Sequence, residues 1–188
     1  MLTRRSLIGA SVAALVLAGQ APGAVALQPV LIGGGPADGA DTEAAEQICR
    51  LVSERAAGTY DCFARPTPGS VFNIRAAAGG LMEFGFARSD NSREAVDGKG
   101  AWEGRPATSL RSAVRLRSGE ALFVTGTHVA DDLVYDVVRT VFEHLNALGR
   151  AHPAFLDLDP AATPGDLAPP LHPGATRYYR ERGWLRAQ

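Results

Sequence analysis

Short apolar runs alternate with stretches of helical spacing, and this alternation repeats three times in the first half of the chain. Gln28 to Ile32 is apolar and rich in branched side chains, and Gly33-Gly34-Gly35 stops it, which predicts a buried strand. Asp41 or Thr42 is placed to cap a helix running to about Ala57, with Ala44, Ala45, Ile48, Leu51, Val52 and Ala56 on one face. Thr59 to Ala64 reads as a second strand, and Thr67-Pro68-Gly69-Ser70 as a turn ending in an N-cap for a short helix, Val71 to Ala78. After Gly79-Gly80, Met82 to Ala87 reads as a third strand, and Ser89-Asp90 caps a short helix through about Val96. Asp97-Gly98 and Trp102 to Pro106 form a loop. Leu110 to Leu116 and Ala121 to Thr125 are two further strands joined by Ser118-Gly119. Asp131-Asp132 caps a longer helix, Leu133 to about Leu148, with Val134, Val137, Val138, Val141, Phe142 and Leu145 on its apolar face. A Pro-rich connection, 153–173, leads to a last helix from Gly174 to Arg182.

Strand–helix alternation predicts an α/β fold with a mostly parallel sheet and helices on its faces. Ligands of such sheets sit at the carboxyl ends of the strands. Three connections meet that description: Gly33 to Asp41, Thr67 to Ser70, and Ser89-Asp90. Each enters a helix N-terminus, where free N–H groups and the positive dipole end suit a carboxylate or another small anion. Structural duties compete at every position. The glycines serve a tight turn equally well, and Ser70 and Asp90 are ordinary helix-cap residues. Asp90 also sets an acid where a ligand carboxylate would be repelled, which favours an amino group there. Tyr178, Tyr179 and Trp184 are read as packing anchors that dock the last helix on the sheet, and His172 as a turn residue.

The 188 residues suit one domain. The 21 glycines and 12 prolines predict many turns and few long helices. Thr3-Arg4-Arg5-Ser6-Leu7, the mildly apolar Gly9 to Gly19 and the small-x-small Ala24-Val25-Ala26 read as an export leader of twin-arginine type, cleaved after residue 26. The apolar run is too short for a membrane span, which needs about 20 residues. Cleavage leaves 17 basic against 20 acidic residues, a net charge of −3, and no basic patch of the kind nucleic acid requires. Export to the periplasm makes Cys49 and Cys62 a plausible disulfide, with two buried thiols as the alternative. Their spacing joins a helix end to the next strand, which favours the bridge, and no Cys-x-x-Cys motif points to redox catalysis. His-Glu-x-x-His, Gly-x-Ser-x-Gly and Walker motifs are absent. Glu143, His144 and His152 are split by Gly149 and Pro153. No enzymatic activity, metal or cofactor is expected.

Several segments resemble a known receptor family. Leu133-Val134-Tyr135-Asp136-Val137-Val138 with Val141-Phe142-Glu143, then His152-Pro153-Ala154-Phe155, and the closing run from Pro170 to Trp184 are similar to the C-terminal end of the TAXI family of TRAP-transporter receptors. The first half is similar more loosely: Ile32-Gly33-x-Gly35, Ile48-Cys49-Arg50-Leu51-Val52 with Cys62, Pro68-Gly69-Ser70-Val71-x-Asn73, Ala87-Arg88-Ser89-Asp90, and Leu110-Arg111 with Glu120-Ala121-Leu122-x-Val124. The chain departs from the family at Gly34, Pro36, Asp38, Asp41 and Thr42, where the family carries a Thr and then a Tyr pair. It departs again at Arg88 in place of Gln, and at Val96-Asp97-Gly98 in place of Tyr-Asn-Gly. Thr125-Gly126-Thr127-His128 leads straight into the C-terminal helix, where the family inserts a second lobe.

The resemblance implies a single lobe of a periplasmic-binding-protein-like (type II) fold at 27–188. It implies a periplasmic solute-binding role in a TRAP-type transport system, for a small organic anion or amino acid bound weakly or with a partner. The ligand positions it implies are Gly34, Gly35, Gly69, Ser70, Asn73, Ser89 and Asp90, and the membrane permease subunits are the implied protein partner. No nucleic acid and no stable membrane insertion after leader removal are expected. The alternative is a docking protein, or a degenerate remnant of such a receptor, that binds no solute.

Overall fold

The computed structural model describes residues 26–116, 120–156, 158–162, 164–165 and 167–185. The leader and the Ser118-Gly119 turn expected from the sequence lie outside them. In chain order the elements are β1 (Gln28–Gly33), α1 (Ala40–Arg55), β2 (Tyr60–Arg65), α2 (Ser70–Ala78), β3 (Phe84–Arg88), α3 (Ser89–Asp97), β4 (Leu110–Leu116), β5 (Ala121–Gly126), α4 (Asp131–Glu143), α5 (Leu145–Ala151) and α6 (Pro173–Glu181), with short 3-10 turns at Gly100–Trp102 and Pro153–Phe155.

The sheet runs in the order β2-β1-β3-β5-β4. β1 pairs parallel with both β2 and β3, and β5 is antiparallel to both β3 and β4. β1, β2, β3 and β4 therefore share one direction, and β5 alone opposes them. The two faces follow from strand alternation. Val30 and Ile32 point to one face, where α1, α4 and α6 bury Ile48, Val52, Val134, Val138 and Tyr179 against Phe84, Phe86 and Phe123. The other face carries α2 and α3, with Ile74, Ala77, Ala95 and Trp102 packed on Leu110, Leu122 and Val124. Cys49 in α1 and Cys62 in β2 form a disulfide, Cα atoms 4.9 Å apart.

The helix expected from Leu133 to Leu148 breaks at His144, and the reason is local. The His144 ring Nδ1 lies 2.8 Å from the Thr140 carbonyl, the group a continuing helix would give to the His144 N–H. That N–H turns instead to the Val141 carbonyl at 3.2 Å. Leu148 then drops into the core at 1% exposure.

The tail is held by specific bonds. Ser112 in β4 donates its N–H to Pro170 and its hydroxyl to Pro169 (2.8 Å), and it accepts from the His172 N–H, so Leu171 runs beside the β4 edge. The ladder between β4 and β5 skips Ala113. The Tyr179 hydroxyl donates to the Ala113 carbonyl at 2.7 Å, and Tyr179 is fully buried. Phe142, Tyr178, Tyr179 and Trp184 pack as one aromatic cluster. Tyr178, Tyr179 and Trp184 are thus the anchors expected. His172 is not a simple turn residue: it is 1% exposed and caps α6, its Nδ1 accepting from the Gly174 N–H at 3.2 Å. Burial lowers its pKa below the usual imidazole value, against the pull of Asp131.

Candidate functional site

β1, β2 and β3 deliver their carboxyl ends side by side, so the connections into α1, α2 and α3 meet at one end of the sheet. Asn73 in α2 ties them together. Its Nδ2 donates to the Gly34 carbonyl at 2.6 Å and the Phe86 carbonyl at 2.8 Å, with a longer contact to Gly33 at 3.4 Å. Asn73 is fully buried, so its amide is a strut between the first connection and β3. The approach requires glycine in the strands: a Cβ on Gly33 would stand 2.6 Å from Asn73 Oδ1.

Two threonines complete the lacing. Thr67 donates its hydroxyl to the Gly34 carbonyl at 3.0 Å, accepts from the Gly69 N–H at 3.2 Å, and sends its own N–H to the Gly35 carbonyl at 2.7 Å. Thr42 Oγ1 accepts from the Gly35 N–H at 3.0 Å and lies 3.0 and 2.9 Å from the Gly35 and Pro36 carbonyls. Neither residue was singled out for the site. The Thr-Pro-Gly turn signalled a side chain able to bond its own loop, but the partners 33 and 7 residues away are set by the fold.

The remaining expected positions fall as follows. Gly34 and Gly35 are buried, and Gly69 precedes α2 at φ 99°, a conformation that favours glycine. Ser70 does not cap α2; its Oγ accepts from the Arg88 N–H at 3.0 Å, which clips α2 to the end of β3. The Ser89 N–H goes to the Glu120 carbonyl at 3.0 Å. Asp90 is not at the N-cap of α3, which is Arg88, but its carboxylate accepts the first-turn Asn91 N–H at 2.7 Å. It takes the Arg88 guanidinium side-on, with contacts of 2.8, 3.1 and 3.2 Å. The Arg88 hydrogen bond holds the Asp90 carboxyl below its ordinary range. The repulsion expected between Asp90 and a ligand carboxylate is therefore offset by a partner two residues away. The caps expected of Asp41 or Thr42 and of Asp131-Asp132 do not form either: α1 and α4 begin after Gly39 and Ala130 without side-chain acceptors, and the acids sit in the first turns, where they favour the dipole.

All seven expected positions thus lie on the three connections or the helix turns they enter; Asn73 and Ser70 spend their side chains on the lacing, and Asp90 spends its own on Arg88 and the Asn91 N–H. Chemically, the cluster offers its helix ends. α1 and α2 lack side-chain caps, so first-turn amides point out of these two helices; in α3 the Ser89 N–H goes to the Glu120 carbonyl and the Asn91 N–H to the Asp90 carboxylate. Pro36, Ala37, Asp38, Pro68 and Asp90 are exposed at the tips, and Arg65 is exposed at the end of β2. Two surface clefts lie elsewhere. One of about 320 Å³ is lined by Val52, Arg55, Tyr60, Asp136, Arg139 and their neighbours, and one of about 450 Å³ by Leu145, Gly149, Phe155, Leu156 and theirs. Neither includes a residue of the laced cluster. Among the described residues, no group of three or more His, Cys, Asp or Glu side chains is placed to hold a metal ion.

Residues 32–122 and 118–183 match the family model described as the NMT1-like family. No curated protein matches the chain.

Proposed function

The chain belongs to the NMT1-like family, a solute-binding-like family with the periplasmic-binding-protein-like fold, and from that premise we propose that it is an exported, non-catalytic receptor lobe that takes a small organic anion or amino acid at the carboxyl end of its sheet. The observation that carries this reading is the convergence of three strand-to-helix connections, laced by Asn73, Thr67 and Ser70, on one exposed end. Uncapped helix N-termini at that end suit a carboxylate. In this reading Gly34, Gly35, Gly69, Ser70, Ser89 and Asp90 shape the half-site, the first-turn amides of α1 and α2 bind, and Asn73 positions.

The assignment to a TRAP-type system, with its membrane permease as partner, is supported by the resemblance of the C-terminal run. A single lobe is supported by the direct path from β5 through 127–130 into α4, and by the way the two matched segments meet at β5. Periplasmic location is supported by the leader pattern and the disulfide. No helix among the described residues is long and apolar enough to cross a membrane. With no second lobe the ligand stays half exposed, and charge-assisted bonds in water are weaker than in a closed cleft.

A thermal-shift screen against amino acids and dicarboxylates tests the reading. A ligand at 100 times its Kd adds about 2.7 kcal/mol, which raises the melting point by roughly 5–10 °C for a chain of this size. A folded protein that shifts with no ligand would refute the receptor reading. It would support the second one, a docking protein without solute, which the internal commitment of Asn73, Thr42 and Ser70 favours.

A further inference from the structure

We propose that the free edge of β2 is a homodimer interface, where two copies pair antiparallel about a two-fold axis at Phe63. Among the described residues, β2 is an outer strand. Its hydrogen-bonding sense is fixed by two bonds to the β1 side: the Gly34 N–H donates to the Arg65 carbonyl and the Gln28 N–H to the Thr59 carbonyl. Odd-numbered residues of β2 therefore face β1, and the N–H and C=O groups of Tyr60, Cys62 and Ala64 point off the sheet. The Cys62 N–H makes only a long contact, 3.4 Å, with the Ser53 hydroxyl. An edge of this kind is a template for another strand.

The side chains choose the partner and the register. Phe63 sits beside Leu31 on the α2 face of the sheet. α2 lies over β3, β5 and β4, and Phe63 is left 43% exposed. It is flanked on the same face by Asp61 and Arg65, both exposed. Antiparallel pairing centred on Phe63 sets Phe63 against its own copy, and Asp61 of each chain against Arg65 of the other. Those three are non-hydrogen-bonded pairs, where facing side chains come closest. The backbone parity agrees: in this register Cys62 faces Ala64 of the second copy, and the two outward-pointing residues exchange both hydrogen bonds, twice across the axis. Shifting the centre to Cys62 gives a ladder with Phe63 opposite Asp61, which loses both charge pairs. The sequence of β2 is thus charge-complementary to itself in one antiparallel register, the isologous arrangement a two-fold dimer requires. The pairing doubles the five-stranded sheet, and it points the two loop clusters in opposite directions, so each stays open.

Sedimentation velocity over a concentration series on the purified protein is the test. The wild type is expected to dimerise. Asp61→Arg and Arg65→Asp, each of which sets like charges face to face, are expected to weaken the dimer about tenfold or more. The double variant D61R/R65D restores opposite charges and is expected to recover the dimer. Phe63→Ser keeps both charges and is expected to weaken it as well. Circular dichroism spectra and cooperative melts at concentrations where every form is monomeric should show that all four variants are folded. A monomeric wild type at every concentration, single reversals that leave the dimer intact, or a well-folded double variant that stays monomeric would each overturn the proposal.

Discussion

Replacing Asn73 by Asp changes one buried NH₂ into an oxygen without changing the side chain's size. Two short bonds are lost, to Gly34 at 2.6 Å and to Phe86 at 2.8 Å. The Gly34 carbonyl keeps the Thr67 hydroxyl, so it is the Phe86 carbonyl that loses its side-chain donor in the interior. The lost bond to Gly34 costs about 0.5–1.5 kcal/mol and the unsatisfied Phe86 group about 1–3 kcal/mol. At about 2–4 °C per kcal/mol for a chain of this length, the melting point should fall by roughly 5–15 °C. The carboxylate adds a pH signature. At full burial the charged form is disfavoured, so the folded pKa of the new Asp lies above its unfolded value of about 3.9. Between those values the folded state holds the extra proton, and the variant loses stability as pH rises. The gap to wild type should therefore be smallest near pH 4, where a protonated carboxyl still donates one bond, and widest at neutral pH. Paired calorimetric melts across that range measure it. A variant melting within about a degree of wild type at pH 7 would refute the view that this amide holds the connections together.

The other expectations are smaller in scope. Tyr179→Phe strips the donor from the Ala113 carbonyl and should cost about 1–3 kcal/mol; an unchanged midpoint in chemical denaturation would show that the skipped ladder position is satisfied some other way. His172 has a folded pKa depressed mainly by burial. The folded state thus binds fewer protons than the unfolded chain just below pH ~6.5, and stability present above that value is lost on acidification. His172→Asn, which keeps a capping acceptor, should flatten the melting-point profile between pH 7 and 5, and an identical slope would contradict the assignment. All four tyrosines are shifted upward: Tyr60 to about 12 by burial and its bond to Asp136, Tyr178 and Tyr179 by burial, and Tyr135 by its bond to Glu181. Phenolate absorbance should stay low through pH ~10 and rise with alkaline unfolding; a normal phenol titration in the folded protein would count against these environments. Reducing the Cys49–Cys62 bridge reopens a loop of 13 residues' separation and should lower stability by about 3 kcal/mol, read from melts with and without reductant.

Local periodicity made most elements legible. The spacing of Ile48, Leu51 and Val52 marked α1, the apolar runs at 110–116 and 121–125 marked the hairpin strands, and Val134, Val137, Val138 and Val141 marked α4; all of these residues in helices are buried as expected. The alternation of strands and helices fixed which end of the sheet would carry the connections, because every parallel strand must deliver its loop to the same side. The cysteine pair was legible for the same reason, since a helix end and the next strand are neighbours by necessity.

Caps and contacts were not legible, and the failures share a cause. Ser70 and Asp90 stand where a local rule assigns a capping duty, yet the Ser70 hydroxyl meets the Arg88 N–H and Asp90 meets the Arg88 guanidinium. Asn73 was expected at a ligand, and it bonds carbonyls 39 and 13 residues away. A side chain's hydrogen-bond capacity is written in the sequence, but its partner is whichever group the packed fold brings within about 3 Å. The place of β5 between β3 and β4 was likewise decided by tertiary structure, since strand alternation carries no record of which edges meet. The sequence by itself determined the elements, their faces and the end of the sheet that matters. The three-dimensional packing decided the strand order and which polar groups are spent on holding that end together, because those choices are made between residues far apart along the chain.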